Sequence, residues 1–198
     1  MKTNHNHKTD SVKYQEILDA AAKIFKKKGY YHANISDIAG QVAMQKGSLY
    51  HYIKSKEDLL YHIFLSSMEH YMKVFDQIIV SDQPSDLMLQ EAIIAHMDPG
   101  DKQFNRFYVG IHEFQSLTGE NRQVARNYLI KYQNMWLDIL EKGKQEGIFS
   151  KNLDSKVTLL AIFGMCNWSL RWFQFEGKHS RKDLGEMFCK RILNGIKA

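Results

Sequence analysis

The stretch NISDIAGQVAMQKGSLYHYI, residues 34–53, has the pattern of two short helices joined by a tight turn. Asn34 is a favourable N-cap residue, and Asp37 stands three positions later, where the two side chains can form a pair resembling a capping box. Apolar side chains then recur at helical spacing: Ile35, Ile38, Ala39 and Val42. We expect the turn at residues 43–44 and a second helix over residues 45–52. The stretch therefore predicts a helix-turn-helix.

The second predicted helix has a small, polar exposed face, which suits the major groove of DNA. The side chains expected to reach base edges are Gln45, Lys46, Ser48 and His51. Gly47 removes a side chain where this helix would come closest to DNA. Phosphate contacts, which fix register without reading sequence, are expected from Asn34, Tyr50, Tyr52 and Lys56. Taken alone, the pattern would also fit an ordinary helical hairpin with a solvated face, because helical pairs are common.

Residues at fixed spacing around this stretch resemble the helix-turn-helix of the TetR family of bacterial transcriptional regulators. The matching residues are Phe25, Gly29, Ile38, Ala39, the run GSLYHY at 47–52, Ser55, Lys56, Glu57, Leu59 and Leu60. The turn departs from the family, which usually has glycine where this chain has Ala43. Alanine in a left-handed conformation is strained by roughly 1 kcal/mol. Asn34 replaces the family's usual threonine, and either residue can cap a helix and contact phosphate.

The resemblance implies an all-α transcriptional repressor with two domains. Residues 11–58 would form an N-terminal three-helix DNA-binding domain, and residues 59–198 a C-terminal helical domain for ligand binding and dimerisation. Residues 1–10 are polar and are expected to form a disordered arm. The resemblance also implies a homodimer that binds a palindromic double-stranded DNA operator and is released by a small-molecule inducer.

Basic residues are concentrated near the predicted helix-turn-helix. The whole chain of 198 residues carries a net charge of +5. Residues 1–60 hold 10 lysines against 6 acidic residues, a net charge of +4, which leaves +1 for the rest. A basic excess at the DNA-reading end is the electrostatic footprint that nucleic-acid binding requires.

The rest of the chain has helical periodicity and only two prolines. Further helices are expected over residues 11–29, 55–79, 85–97, 103–117 and 121–146. The last two predicted helices cover residues 154–173, which are apolar on nearly all sides, and 180–196, which carry Leu184, Phe188, Ile192 and Ile196. Ala161 and Gly164 would let a neighbouring helix approach closely. Two such helices from each of two subunits predict a four-helix dimer interface.

Aromatic residues of the C-terminal region suit a cavity for a lipophilic ligand. The candidate ligand-binding residues are Phe107, Tyr108, Tyr132, Trp136, Asn167, Trp168, Arg171 and Trp172. Any single aromatic residue among them would equally suit an ordinary core, because such residues are inside by default.

The segment GMCNWSLRWFQFEG, residues 164–177, followed by Ser180, is similar to TetR-family members that respond to acyl-CoA esters. The resemblance implies an acyl-CoA inducer. Arg171, with Lys178 and Arg181 nearby, would then meet the CoA phosphates, because guanidinium groups bind phosphate bidentately. Alternatively, Arg171 extends its charged end to water beside the dimer interface. A multidrug or aromatic-ligand-sensing TetR-like regulator is the alternative function.

Other classes of protein are disfavoured. Cys166 and Cys189 lie in apolar helical contexts, which favours reduced thiols and a cytoplasmic location. The N-terminus lacks an apolar signal segment, and the uncharged run 157–170 is too short to span a bilayer. No cofactor or metal is expected, because His112 and Glu113 lack the second histidine of a metal motif. An all-α enzyme or a helical adaptor that binds only protein would leave the helix-turn-helix unexplained.

Overall fold

The computed structural model describes residues 12–172 and 178–198, without the side chain of Arg171. The predicted arm, residues 1–10, lies outside these residues. Over the described ranges the chain forms nine α-helices: α1 (Val12–Lys28), α2 (Ile35–Gln41), α3 (Lys46–Leu49), α4 (Lys56–Val80), α5 (Ser85–Met97), α6 (Asp101–His112), α7 (Gly119–Gln145), α8 (Ser155–Trp172) and α9 (Arg181–Ile196). A short 3₁₀-helix (Phe114–Ser116) follows α6. The prediction of an all-α fold is confirmed.

Two helices differ in length from the prediction. The helix expected over residues 103–117 ends at His112, and the chain continues as the 3₁₀-helix up to Ser116. The second helix of the helix-turn-helix is α-helical only from Lys46 to Leu49. Beyond Leu49, the backbone N–H groups of His51 and Tyr52 bond to carbonyls three residues earlier, at 3.2 and 2.9 Å. These shorter-range bonds tighten the last turn, a common ending for a helix.

The helices divide into two compact units. The first unit, here the N-terminal unit, comprises the described residues up to Met68 together with Asp101–Tyr128. The second, here the C-terminal unit, comprises Glu69–Gly100 and Leu129–Ala198. Helices α4 and α7 contribute residues to both units. The predicted boundary between a DNA-binding domain and a regulatory domain at residues 58/59 separates functions and not compact units. It stays a prediction.

The core of the N-terminal unit is built on the apolar stripe of α1. This stripe contains Tyr14, Ile17, Leu18, Ala21 and Phe25, each at most 2% exposed. Helix α1 packs against both α2 and α6. It ends at Gly29, whose φ of 78° lies in the left-handed region that glycine adopts without strain. Helix α1 thus packs against the helix-turn-helix and also against α6.

An ion pair between a buried arginine and a partly exposed aspartate joins α1 to α6 within the N-terminal unit. The side chain of Arg106 is 5% exposed, and its Nε donates to Asp19 Oδ1 at 2.8 Å. The same guanidinium donates to Gln15 Oε1 at 2.9 Å, to the Gln15 carbonyl at 3.1 Å and to Ser66 Oγ at 3.2 Å. A buried charge needs both a partner and further hydrogen bonds, and Arg106 has both.

The C-terminal unit packs α9 closely against α5. Gly185 of α9 faces α5, and a Cβ there would just reach van der Waals contact, 3.4 Å from Ile94 Cα. Helix α9 begins with a capping box between Ser180 and Asp183. Arg181, at 6% side-chain exposure, donates from Nε to Asp98 Oδ1 at 3.1 Å and ties the start of α9 to the end of α5. The interior of this unit is strongly aromatic, as described below.

Candidate nucleic-acid interface

Helix α2 is held at its start by a complete capping box. Asn34 Oδ1 accepts from the backbone N–H of Asp37 at 2.9 Å, and Asp37 Oδ2 accepts from the backbone N–H of Asn34 at 3.0 Å. The ammonium of Lys28 lies 2.7 Å from Asp37 Oδ1. The hydrogen bond from Lys28, followed by that from the Asn34 backbone, holds the pKa of Asp37 below its usual value. Asn34 is exposed at this helix start, where it was predicted to contact phosphate.

The turn between α2 and α3 has the left-handed conformation that the family pattern implied. Ala43 has φ 52°, and the N–H of Met44 bonds back to the carbonyl of Ala39 at 2.9 Å. A non-glycine residue in this region carries strain of roughly 1 kcal/mol. Alanine is nevertheless accommodated, because it is exposed and its Cβ is the smallest that can occupy the position.

Helix α3 and the residues on either side of it, 45 and 50–53, present most of the predicted DNA-contacting side chains to solvent. Gln45, Lys46, Gly47, Tyr50 and His51 are exposed, whereas Ser48 and Tyr52 are half-buried. The anchors on the inner side are Leu49, which is fully buried, and Ile53 at 3% exposure. This segment therefore exposes polar side chains to solvent and packs against the protein through Leu49 and Ile53.

Nothing inside the described part of the chain requires glycine at position 47. Its backbone is not in the left-handed region, and a Cβ built there would meet no atom within 4 Å. Glycine within a helix is less favourable than alanine by about 0.5–1 kcal/mol. Because no contact within the protein explains this less stable residue, its presence favours a requirement of the bound partner. Close approach of DNA to Gly47 is such a requirement.

The ammonium of Lys56 lies inside the loop that precedes α2. Its Nζ donates to the carbonyls of Tyr30 at 2.9 Å, Ala33 at 3.0 Å and Tyr31 at 3.4 Å. It also lies 4.5 Å from the centre of the Tyr30 ring. An ammonium has three N–H donors, and here each has a carbonyl acceptor. The phosphate contact predicted for Lys56 stays a prediction, and it would require one of these bonds to be exchanged.

The candidate ligand-binding residues are distributed over three locations. Phe107 and Tyr108 belong to the N-terminal unit, where Phe107 is 1% exposed. Tyr132, Trp136 and Asn167 belong to the interior of the C-terminal unit. Trp168 and Trp172 are exposed on α8, at 62% and 52%. The side chain of Arg171 lies outside the described residues.

An aromatic cluster fills the interior of the C-terminal unit. Its members are Tyr71, Phe75, His96, Tyr132, Trp136 and Phe163, with neighbouring ring centres 4.9–6.2 Å apart. Sequence analysis had selected only Tyr132 and Trp136 from this set. His96 is the member that the pattern could have revealed, because a histidine stands there in an otherwise apolar turn beside Ile93 and Met97.

An apolar stripe runs along the outer face of α8. Its large members are Val157, Leu160, Trp168 and Trp172, which are 61%, 67%, 62% and 52% exposed. Ala161 and Gly164 lie in the same stripe and are also exposed. A contiguous exposed apolar face of this kind marks an interaction surface.

Two further findings bear on other classes of protein. Across residues 12–172 and 178–198, no three His, Cys, Asp or Glu side chains converge in a way that could hold a metal ion. Among the helices in those same ranges, none has the length and apolar character needed to cross a membrane.

A short exposed helix on a capped helix-turn-helix, joined to a second helical unit with an aromatic interior, defines a DNA-binding regulator with a sensory part. Comparison with known proteins gives the family. Residues 17–63 match the family described as "Bacterial regulatory proteins, tetR family", and residues 82–196 match "Tetracyclin repressor-like, C-terminal domain". The chain belongs to the TetR family of bacterial transcriptional regulators.

Three similar proteins illustrate the match. The "Fatty acid metabolism regulator protein" of Bacillus subtilis (strain 168) is 27% identical over 185 residues, covering 93% of this chain and 95% of that protein. The crystal structure of the transcriptional regulator FadR from Bacillus subtilis in complex with stearoyl-CoA is 26% identical, with a TM-score of 0.75 over 92% of this chain and 99% of that one. The ketosteroid transcriptional regulator KstR2 of Mycobacterium tuberculosis shares the fold, with a TM-score of 0.87 at 24% identity over 96% of each chain.

Proposed function

We propose that this protein is a cytoplasmic, dimeric repressor that binds a palindromic operator and is released by a long-chain acyl-CoA. The observation that carries the DNA-binding part is the outward face of α3, where Gly47 has no internal reason to be glycine. The proposed base-reading residues are Gln45, Lys46, Ser48 and His51, and the proposed phosphate contacts are Asn34, Tyr50, Tyr52 and Lys56. Gly47 allows the close approach.

The apolar stripe of α8 supports dimerisation through the last two helices. Leu160 of this stripe is 67% exposed, and Gly164 one turn further along leaves room for a partner helix. A dimer places two copies of α3 at half-sites about 34–36 Å apart, one turn of DNA. The same face on each subunit then meets itself across a twofold axis, as in most homodimers.

Leu160→Glu tests the interface, because it would bury one carboxylate from each subunit in the apolar stripe that the proposed dimer covers. We expect the variant to be monomeric in light scattering at micromolar concentration and to lose most of its operator affinity. Gln133→Glu is the matched control, since it adds one carboxylate at an exposed position of α7, a helix that the proposed interface does not include. A Leu160→Glu protein that stayed dimeric would place the interface elsewhere.

The acyl-CoA part of the proposal is supported by the resemblance of the segment 164–177 and by similar proteins. One of these is described as a fatty acid metabolism regulator, and another was crystallised with stearoyl-CoA. The aromatic interior of the C-terminal unit suits an apolar acyl chain.

The test is fluorescence anisotropy on DNA fragments recovered by selection, with stearoyl-CoA, free CoA or stearate added. Release by stearoyl-CoA alone is the expected result. Release by none of the three, with DNA binding intact, would refute the ligand proposal and leave the DNA-binding proposal standing.

The aromatic cluster also favours a second candidate, a regulator that senses flat aromatic ligands. Parallel rings such as those of Tyr132 and Phe163, 6.1 Å apart, are surfaces on which such a ligand can stack after rearrangement. The same anisotropy assay with 2-naphthol separates the candidates. Release by 2-naphthol without release by stearoyl-CoA would favour this alternative.

A further inference from the structure

A string of hydrogen bonds crosses the aromatic cluster of the C-terminal unit. The Nδ1 atom of His96 lies 2.9 Å from the hydroxyl of Tyr132, and its Nε2 lies 3.0 Å from Oδ1 of Asn167. His96 and Tyr132 are 1% and 2% exposed, whereas Asn167 is half-buried. The three residues come from α5, α7 and α8, so the string connects three helices of the same unit.

The donor and acceptor of each hydrogen bond in the string follow from the amide oxygen of Asn167. An amide oxygen only accepts, so Nε2 of His96 carries the hydrogen that points at Asn167. Burial lowers the pKa of His96 to about 4, which keeps the ring neutral near neutral pH. In a neutral ring the other nitrogen accepts, so the Tyr132 hydroxyl donates to Nδ1. The side-chain amide of Asn167 is thereby held with its oxygen inward.

The amide nitrogen of Asn167 then faces away from the string. Within residues 12–172 and 178–198, its Nδ2 has no hydrogen-bond acceptor, and the half-buried position leaves it accessible. Its orientation is fixed by two residues behind it, which is the arrangement that a precise binding site needs. Through His96 it is connected to a cluster whose members outside the string are Tyr71, Phe75, Trp136 and Phe163, three of which are wholly apolar or nearly so.

Packing alone does not require these polar groups. Imidazole and phenol groups buried among aromatic rings are desolvated, and hydrogen bonds between them only offset that cost. A cluster of phenylalanine and leucine would fill the same space without it. A buried polar string that ends in an accessible, oriented donor instead favours recognition of a ligand.

We propose that Asn167 donates from Nδ2 to the carbonyl oxygen at the head of an apolar acyl chain, with His96 and Tyr132 as positioning residues. This inference rests on the proposed acyl-CoA function and names the group of the ligand that the C-terminal unit reads. The acyl chain lies against the aromatic cluster, and the thioester oxygen meets the amide. The proposed DNA contacts take no part in ligand binding. Variants of the string should therefore change the response to ligand without changing the operator affinity of the ligand-free protein.

Three variants test the string in the anisotropy assay, with stearoyl-CoA as the probe. Asn167→Asp keeps an oxygen for His96 and replaces the donor by an acceptor. We expect the stearoyl-CoA concentration for half-release to rise about tenfold, the size expected when one hydrogen bond is lost and two acceptors face each other. Tyr132→Phe removes only the hydroxyl behind His96, and we expect a rise of about threefold.

Tyr71→Phe is the matched control, because it removes one hydroxyl from the same cluster but outside the string. The Tyr71 hydroxyl donates to the backbone carbonyl of His96 at 3.2 Å and not to a nitrogen of its ring. Operator affinity without ligand should stay within about twofold of the parent for all three variants. Ligand curves for Asn167→Asp and Tyr132→Phe that match the parent would overturn the inference while leaving the repressor intact. An equal shift for Tyr71→Phe and Tyr132→Phe would assign the effect to packing and also overturn it. A parent protein that stearoyl-CoA does not release would overturn the ligand proposal itself.

Discussion

Gly47→Ala should make the protein more stable and a worse DNA binder. The added methyl group meets no atom of the described chain within 4 Å, so the folded protein tolerates it without repacking. Alanine is more favourable than glycine within a helix by about 0.5–1 kcal/mol. Because α3 has only four residues, we expect the lower half of this range. For a domain of this size, that raises Tm by about 1–3 °C.

The effect on DNA binding has the opposite sign. If Gly47 lies where α3 approaches the base edges, the methyl group displaces the helix from the groove. Losing one base-pair contact costs about 1–3 kcal/mol, so we expect operator affinity to fall about tenfold or more. Stability and affinity changing in opposite directions is diagnostic, because general damage to the fold lowers both.

The assay pairs thermal unfolding with anisotropy on an operator fragment. Gly40→Ala is the matched control: Gly40 is exposed in α2, a Cβ there also meets no atom within 4 Å, and it is not among the proposed DNA contacts. Its Tm should rise similarly, with operator affinity unchanged and the dimer intact by size-exclusion chromatography. A Gly47→Ala protein that binds its operator as tightly as the parent would refute the proposed close approach.

Three further predictions concern other parts of the molecule. Arg106→Ala should lower the free energy of unfolding by about 1–3 kcal/mol in urea, because it removes the buried guanidinium that bonds to Asp19, Gln15 and Ser66. Lys102→Ala, whose 79%-exposed side chain lies 3.7 Å from the same carboxylate, should change it by less than about 0.5 kcal/mol, and equal effects would contradict the argument from burial. Lys56→Ala should weaken binding to every DNA sequence and reduce the salt slope of the affinity by about one unit if Lys56 contacts phosphate; an unchanged slope would instead assign it to the loop at residues 30–33. Burial lowers the pKa of His96 in the folded protein to about 4, against an ordinary value of 6.5. The unfolded chain therefore takes up this proton at a higher pH than the folded protein does. As the pH is lowered from about 6.5 to about 4, the free energy of unfolding should fall by at most about 3 kcal/mol. His96→Leu should flatten that pH dependence, and an unchanged profile would assign it to other groups.

The local parts of the fold could be predicted from sequence. The pairing of Asn34 with Asp37 is visible from spacing alone, because a capping box joins residues three apart. The left-handed conformation of Ala43 was implied by the family resemblance, because glycine usually stands at that position. The apolar stripe of α1 and its end at Gly29 follow from periodicity and from the conformational freedom of glycine. Each of these features depends on neighbours within a few residues.

The parts that the sequence left open depend on distant contacts. His96 bonds to Tyr132 and Asn167, which are 36 and 71 residues away, and Arg106 bonds to Asp19, 87 residues away. No periodicity connects such residues. Composition likewise marked Trp168 and Tyr132 as equivalent, although one is 62% exposed and the other 2%. Which face of a helix is covered depends on the elements packed against it, and a single sequence does not show them.

The central claim is that two copies of α3 read a specific operator. Selection of bound fragments from random double-stranded DNA, with the full-length protein at physiological salt, tests it most directly. We expect one enriched motif with twofold symmetry, with half-site centres about 10 base pairs apart or a multiple of that. The Ser48→Ala protein should enrich a motif that differs within the half-sites. Fragments that share no motif, or the same motif for parent and Ser48→Ala proteins, would contradict the assignment of sequence reading to α3.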